Sequence, residues 1–145
     1  MLGFPLKLKR LLSALKESED TTNVLKKSLR KVLVIGSITP PAVAEEFANI
    51  FSLSDFRSCY GMTEAGGFLT VPPSGEVSGT NQGFPIPAIR MKVIDTVSGE
   101  VLGPTQCGEV LFHTPYGATA YYGDSTASAS IVDKHGWMHT GKKHW

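Results

Sequence analysis

Phe56-Arg57-Ser58-Cys59-Tyr60-Gly61-Met62-Thr63-Glu64-Ala65-Gly66-Gly67 is the stretch whose reading decides the fold. Its first part, Phe56 to Tyr60, predicts a strand, and its glycine-rich end is turn chemistry. Upstream, Val32-Leu33-Val34-Ile35 is a continuous apolar run of the kind that suits a strand buried on both faces of a parallel sheet. Between the two, Gly36-Ser37-Ile38-Thr39 reads as a turn. Thr39 is placed to cap a helix that has Pro40 and Pro41 at its start. Val43, Phe47, Ile50 and Phe51 form the buried face of that helix, and Glu45 and Glu46 favour its N-terminal half through the helix dipole. Strand, helix and strand in this order predict neighbouring parallel strands. The pentad Tyr60-Gly61-Met62-Thr63-Glu64 then falls at a strand end, where ligands bind in open α/β sheets. There Tyr60 can stack on a flat ring, and Gly61 lets the backbone approach closely. Thr63 can hydrogen-bond a phosphate, and Glu64 can hold a divalent cation through oxygen.

On the N-terminal side, Pro5 can open a helix, and Leu8, Leu11, Leu12 and Leu15 recur at helical spacing as one apolar stripe. Lys16 to Asn23 is polar and reads as a loop. After Val71 the character changes. Pro72-Pro73-Ser74-Gly75 and Ser78-Gly79 are loop chemistry. Ile89, Met91 and Val93 then alternate with Arg90 and Lys92 as a half-exposed strand, and Glu109 to Phe112 forms another. Thr126 to Ile131 predicts a short helix, and Trp137 to His139 a last strand. The fold class read from this order is α/β followed by mostly antiparallel β. The expected organisation is a partial α/β subdomain over residues 1–71, a Pro/Gly/Ser-rich linker over 72–82, an antiparallel part over 83–141 and a divergent tail over 142–145.

The chain has 145 residues and a formal net charge of +1, so one domain is the prior and no basic patch argues for nucleic acid. No apolar run approaches the roughly 20 residues of a membrane span. Lys7, Lys9 and Arg10 interrupt the apolar N-terminus and spoil a secretory signal. Cys59 and Cys107 are far apart and read as free thiols. These features predict an intracellular protein, cytoplasmic or peroxisomal, with no C-terminal peroxisomal address on Lys142-Lys143-His144-Trp145. Several motif matches are decoys. Gly136 to Lys142 fits a phosphate loop in outline, but Lys143 stands where a hydroxyl residue belongs. His135 and His139 flank Gly136 without a carboxylate cluster, so a structural role is expected for both. Asp95 and Glu109 read as exposed strand ends.

The pentad, taken with Gly136-Trp137-Met138-His139-Thr140-Gly141, resembles the adenylate-forming family of acyl-CoA synthetases, coumarate–CoA ligases and beetle luciferases. Between these points the family pattern continues. Gly83 and Pro87 precede Lys92-Val93-Ile94-Asp95, Gly103-Pro104 precedes Gly108-Glu109-Val110, and Tyr121-Tyr122 precedes Thr126. Upstream, Leu29-Arg30 and Val34-Ile35-Gly36-Ser37 extend it, so the resemblance covers roughly residues 28–141. It implies the end of an α/β subdomain joined to part of a small distorted β-barrel.

The resemblance also implies ATP-dependent activation of a carboxylic acid as its acyl-adenylate, followed by transfer to a thiol, usually coenzyme A. It makes Glu64 the Mg²⁺ ligand and Thr63 a phosphate contact, both catalytic. Tyr60 stacks on adenine, with Gly61 and Met62 beside it, and Gly36 and Ser37 border the adenine and the acyl pocket. Gly66, Gly67 and Phe68 line the acyl pocket. The expected partners are thus a small carboxylic acid, ATP and coenzyme A.

The tail departs from this pattern. Where the family has an aspartate for the ribose hydroxyls, this chain has Lys142, which has donors and no acceptor. Losing hydrogen bonds to a charged acceptor costs about 1.5–3 kcal/mol. The family's Ser/Thr/Gly-rich phosphate loop and its adenylation lysine are not among these residues. The expectation is therefore an internal fragment that is inactive alone and self-associates through an unpaired edge of the Val32–Ile35 strand. Two alternatives stand beside it: a non-catalytic relative or interaction module, and part of a luciferase-like monooxygenase.

Overall fold

The computed structural model describes residues 1–17 and 19–144, with side chains as far as Lys142; Ser18 and Trp145 lie outside the described residues. The chain forms two compact units that interleave in sequence. One comprises Met1–Met62 and Thr70–Phe84, and the other comprises Thr63–Leu69 together with the chain from Pro85 onward.

The first unit is built on a parallel sheet. Its strands are β1 (Leu2–Gly3), β2 (Lys31–Val34), β3 (Asp55–Ser58) and β6 (Val77–Ser78), in the order β1-β2-β3-β6. Helix α1 (Pro5–Leu15) starts with proline in its first turn and buries Leu8, Leu12 and Leu15, three residues of the predicted stripe. Helix α3 (Pro41–Phe51) connects β2 to β3, which makes them the predicted parallel neighbours. One apolar cluster joins Leu8, Leu12 and Leu15 of α1 to Val32, Val34, Phe47, Phe51 and Phe56. The Phe47 ring lies 5.3 Å from that of Phe51 and 6.1 Å from that of Phe56. Fully burying one such side chain contributes roughly 1.5–3 kcal/mol, so this cluster holds the sheet to its helices.

The structure corrects several expectations for this unit. Much of Lys16 to Asn23 is helical, since α2 spans Glu19–Ser28. This helix buries no residue completely, but Leu25 packs against the core. Glu19 and Asp20 at its start and Lys26 and Lys27 at its end suit the helix dipole, which is how a polar segment becomes helical without an apolar stripe. In β2 only Val32 and Val34 are fully buried, while Leu33 is partly exposed and Lys31 exposed, so burial is one-sided. The expected unpaired edge of β2 is instead occupied by β1, with Leu2 and Gly3 opposite Leu33 and Val34. Thr39 does not cap α3. Pro40 occupies the cap position, one residue later, and the Thr39 hydroxyl is buried without a hydrogen-bond partner. The Pro/Gly/Ser-rich stretch over 72–82 contributes β6, which pairs with β3 through Phe56–Val77 and Arg57–Ser78.

A buried carboxylate ties that stretch to the sheet. The Asp55 side chain is only 1% exposed and receives the Arg57 Nε at 2.6 Å, the Gly75 amide at 3.2 Å and the Lys31 Nζ at 3.7 Å. Arg57 also donates to the Pro72 carbonyl at 2.8 Å. Burial pushes the Asp55 carboxyl up, but the Gly75 amide and the two cations outweigh it and hold the group below its ordinary value of 3.8.

Six further strands complete the chain: β4 (Tyr60–Met62), β5 (Gly67–Val71), β7 (Phe84–Pro85) and the three of the second unit's antiparallel sheet, β8 (Arg90–Ile94), β9 (Gly108–His113) and β10 (Met138–His144). Registers such as Met91–Phe112 and Met138–Phe112 place Phe112, fully buried, at the sheet's centre. The last strand runs beyond His139, with a register shift between His139 and Lys143. Glu109 is not an exposed strand end. Its side chain is 15% exposed, meets His139 Nδ1 at 3.2 Å and accepts the Gly141 amide at 2.9 Å. Asp95 holds a turn by accepting the Val97 and Ser98 amides, both at 2.8 Å. Helix α4 (Ser125–Ile131) is capped by Asp124, which accepts the Ala127 amide at 2.8 Å.

Asp55→Asn should lower the unfolding free energy by about 3 kcal/mol, because Arg57 loses its buried partner. Because the Asp55 pKa is depressed in the folded state, its contribution is complete above the ordinary carboxylate range and disappears as pH falls through the depressed value. Urea unfolding at a series of pH values should therefore show an acid-side loss of stability that is smaller in the variant.

Candidate functional site

In the first unit the parallel ladder brings two candidate segments to one end of the sheet. Val34 pairs with Ser58, and the Cys59 amide donates to the Val34 carbonyl at 2.7 Å. The turn at Gly36-Ser37 and the segment Tyr60-Gly61-Met62 thus leave the carboxyl ends of adjacent strands, the position where open α/β sheets bind ligands. Gly36 sits at φ +101°, and a Cβ added there would lie 2.9 Å from the Phe4 ring. Both the backbone angle and this ring require glycine. Tyr60, Gly61 and Met62 are partly exposed in β4. Cys59 is buried, and burial raises its thiol above the ordinary value of 9.0, which makes it an inert core residue.

The other candidates belong to the second unit. Thr63, Glu64 and Ala65 form a single 3₁₀ turn, closed by the Gly66 amide donating to the Thr63 carbonyl at 3.0 Å. Thr63 is exposed and Glu64 partly exposed, while Ala65 anchors the turn inside. Gly66 (φ +78°) and Gly67 (φ +145°) carry the chain from the turn into β5, where Phe68 is partly buried. A Cβ on Gly66 would lie 3.1 Å from the Tyr116 carbonyl oxygen, so a neighbouring loop passes close to the turn.

That loop also holds Glu64. The Ala118 amide donates to the Glu64 carbonyl at 2.7 Å, and the Tyr121 hydroxyl donates to Glu64 Oε1 at 2.7 Å. This hydrogen bond to a carboxylate raises the Tyr121 phenol above its ordinary value of 10.0, with a little help from desolvation. Tyr121 carries no sign of this role in the sequence. It lies 57 positions from Glu64, and no local period relates the two.

Among the described residues no group of three or more His, Cys, Asp and Glu side chains gathers to hold a metal ion. Glu64 therefore stands outside any cluster of three or more such side chains. That suits Mg²⁺, which takes one or two carboxylates and completes its shell with water and substrate phosphates. It does not suit an ion that needs an all-protein cage. The residue where an aspartate is expected, Lys142, is exposed, and its amide donates to Thr140 Oγ1 at 3.1 Å.

The family model described as AMP-binding enzyme matches residues 1–122. This chain belongs to that AMP-binding, adenylate-forming family. The match begins upstream of the motifs that suggested it and stops short of Gly136–Gly141. A 4-coumarate–CoA ligase-like protein of Oryza sativa subsp. japonica is 32% identical over 130 residues, covering 88% of this chain and 22% of that protein. Luciferin 4-monooxygenase of Photuris pensylvanica is 29% identical over 129 residues, covering 89% and 23%. The crystal structure of an anthranilate CoA ligase in complex with anthranoyl-AMP superimposes with a TM-score of 0.82 at 19% identity, covering 99% of this chain and 27% of that one. The chain thus spans under a quarter of the length of these two curated relatives. No helix among the described residues is long and apolar enough to cross a membrane.

Gly66→Ala should destabilise the chain by about 1–2 kcal/mol, the cost of a side chain in the left-handed region. Urea unfolding of the variant beside the wild type measures it, and an unchanged midpoint would mean that the turn relaxes away from Tyr116.

Proposed function

We propose that this chain is part of an enzyme that activates a carboxylic acid with ATP and passes the acyl group to a thiol, with coenzyme A as the acceptor. The carboxylate oxygen attacks the α-phosphorus of ATP, the bond to the β-phosphate oxygen breaks, and pyrophosphate leaves. The thiol then attacks the acyl carbonyl, and AMP leaves. Such chemistry asks for positioned reactants and stabilised phosphate charge more than for a side-chain nucleophile.

The roles divide as the chain does. Tyr60 stacks on adenine, while Gly36, Ser37, Gly61 and Met62 offer backbone and small side chains to the nucleotide. Thr63 donates to a phosphate, and Glu64 is the protein ligand of Mg²⁺. When bound, that ion neutralises phosphate charge. Gly66, Gly67 and Phe68 line the acyl pocket, where the Phe68 ring shortens the space available to the acid. The observation that supports this reading most is the exit of the Gly36-Ser37 turn and Tyr60 from the carboxyl ends of β2 and β3. The similarity to a coumarate–CoA ligase-like protein supports an acid–thiol ligase. The similarity to a beetle luciferase supports a second reading, a monooxygenase that shares the adenylation step.

The test is acid-dependent ATP–pyrophosphate exchange by the full-length protein that contains this chain. Glu64→Gln should reduce exchange by about a hundredfold or more, the scale of loss when a group acting on transition-state charge is removed. Unchanged exchange would overturn the role of Glu64. No exchange with any acid in the wild type would favour a non-catalytic binding module, and oxygen-dependent light emission would select the monooxygenase.

The isolated chain is expected to show no exchange. It is also expected to self-associate, because β1 is a two-residue edge flanked by exposed Leu2, Phe4 and Leu6. Light scattering coupled to size exclusion measures this, and a sharp monomer peak would refute it.

A further inference from the structure

We infer that Tyr121 is a positioning residue for Glu64, holding its carboxylate in the orientation from which it can receive a magnesium–phosphate complex. This rests on the adenylation reading above.

Three observations bear on it. First, Glu64 is fixed at two points by one loop. The Ala118 amide holds its main chain and the Tyr121 hydroxyl holds Oε1, each at 2.7 Å, which leaves Oε2 to a metal. Second, Tyr121 is itself fixed. Its amide donates to Ser128 Oγ at 2.8 Å, and its carbonyl accepts Ser128 Oγ at 3.2 Å and the Asp124 amide at 3.4 Å. Asp124 in turn caps α4, so the Tyr121 main chain is braced against a helix rather than a free loop. Third, among the described residues no lysine, arginine or histidine forms an ion pair with Glu64. A phenol orients the carboxylate without cancelling its charge, whereas a cationic partner would compete with the metal.

The contrast with Asp55 separates this arrangement from a structural one. Asp55 is buried and answered by two cations and an amide. Glu64 is partly exposed and answered by one neutral donor.

The experiment uses the full-length protein and calorimetric titration with Mn²⁺·ATP, compared with ATP in the presence of a chelator. Tyr121→Phe, which removes only the hydroxyl, should weaken Mn²⁺·ATP binding about tenfold, the scale of one lost hydrogen bond to a charged group. Binding of metal-free ATP should be unchanged. The Mg²⁺ concentration for half-maximal pyrophosphate exchange should rise by a similar factor at an unchanged KM for the acid. Ser128→Ala keeps both groups but loosens Tyr121, and should shift Mn²⁺·ATP binding a few-fold in the same direction. It serves as the test should Tyr121→Phe fail to fold. Wild-type binding of Mn²⁺·ATP by both variants would overturn the inference, as would an equal weakening with and without metal, which marks a purely structural contact. Glu64→Gln separates the two levels. If it loses the metal-dependent gain while Tyr121→Phe keeps it, the positioning role fails and the adenylation reading stands. If the wild type binds no ATP under either condition, the adenylation reading fails and this inference with it.

Discussion

The hydrogen bond from the Cys59 amide to the Val34 carbonyl closes the parallel ladder of β2 and β3 at its carboxyl end, and the candidate residues of the first unit depend on the register it completes. With Val32 opposite Phe56 and Val34 opposite Ser58, the buried residues of β2 face the same apolar cluster as Phe47 and Phe56. A slip of one residue would turn Val32 and Val34 to the other face of the sheet, so the core enforces the register strongly. The same register brings the Gly36-Ser37 turn and Tyr60 out of adjacent strand ends. Packing that stabilises the unit thus also aligns the segments proposed to border a nucleotide.

The polar groups of the two units are handled in opposite ways. In the first, the Asp55 charge is buried and fully answered by Arg57, Lys31 and the Gly75 amide, which ties residues 72–75 to β3. Removing any one partner leaves a buried charge uncompensated, so this network serves the fold. In the second, Glu64 has a neutral phenol as its side-chain partner and a main-chain clamp from Ala118. A carboxylate held in place without a cationic partner suits the metal-binding role proposed for Glu64. Lys92, whose ammonium lies 4.2 Å from the centre of the Trp137 ring, is a third case: it lies over an aromatic face in the sheet that presents β8 and β10.

Much of the framework was legible in the sequence because its signals are local. The leucine stripe of α1, the prolines that open α1 and α3, the apolar run of β2 and the alternation of β8 each need only a few neighbouring residues to be read. The pentad marked a strand end and the family for the same reason. What was misread lacked a local period. Helix α2 buries no residue completely, β1 and β6 have two residues each, and the cap of α3 was displaced by one position because Pro40 intervenes after Thr39.

By itself the sequence determined the α/β-then-antiparallel order and the membership in the AMP-binding family. Hydrophobic spacing and a contiguous motif carry that information along the chain. Tertiary structure alone decided which groups surround the candidate residues. It paired Tyr121 with Glu64, Gly75 with Asp55, and His139 with Glu109. A hydrogen bond depends on distance in space, and separations of 57, 20 and 30 positions become contacts only once sheets and turns fold the chain back on itself.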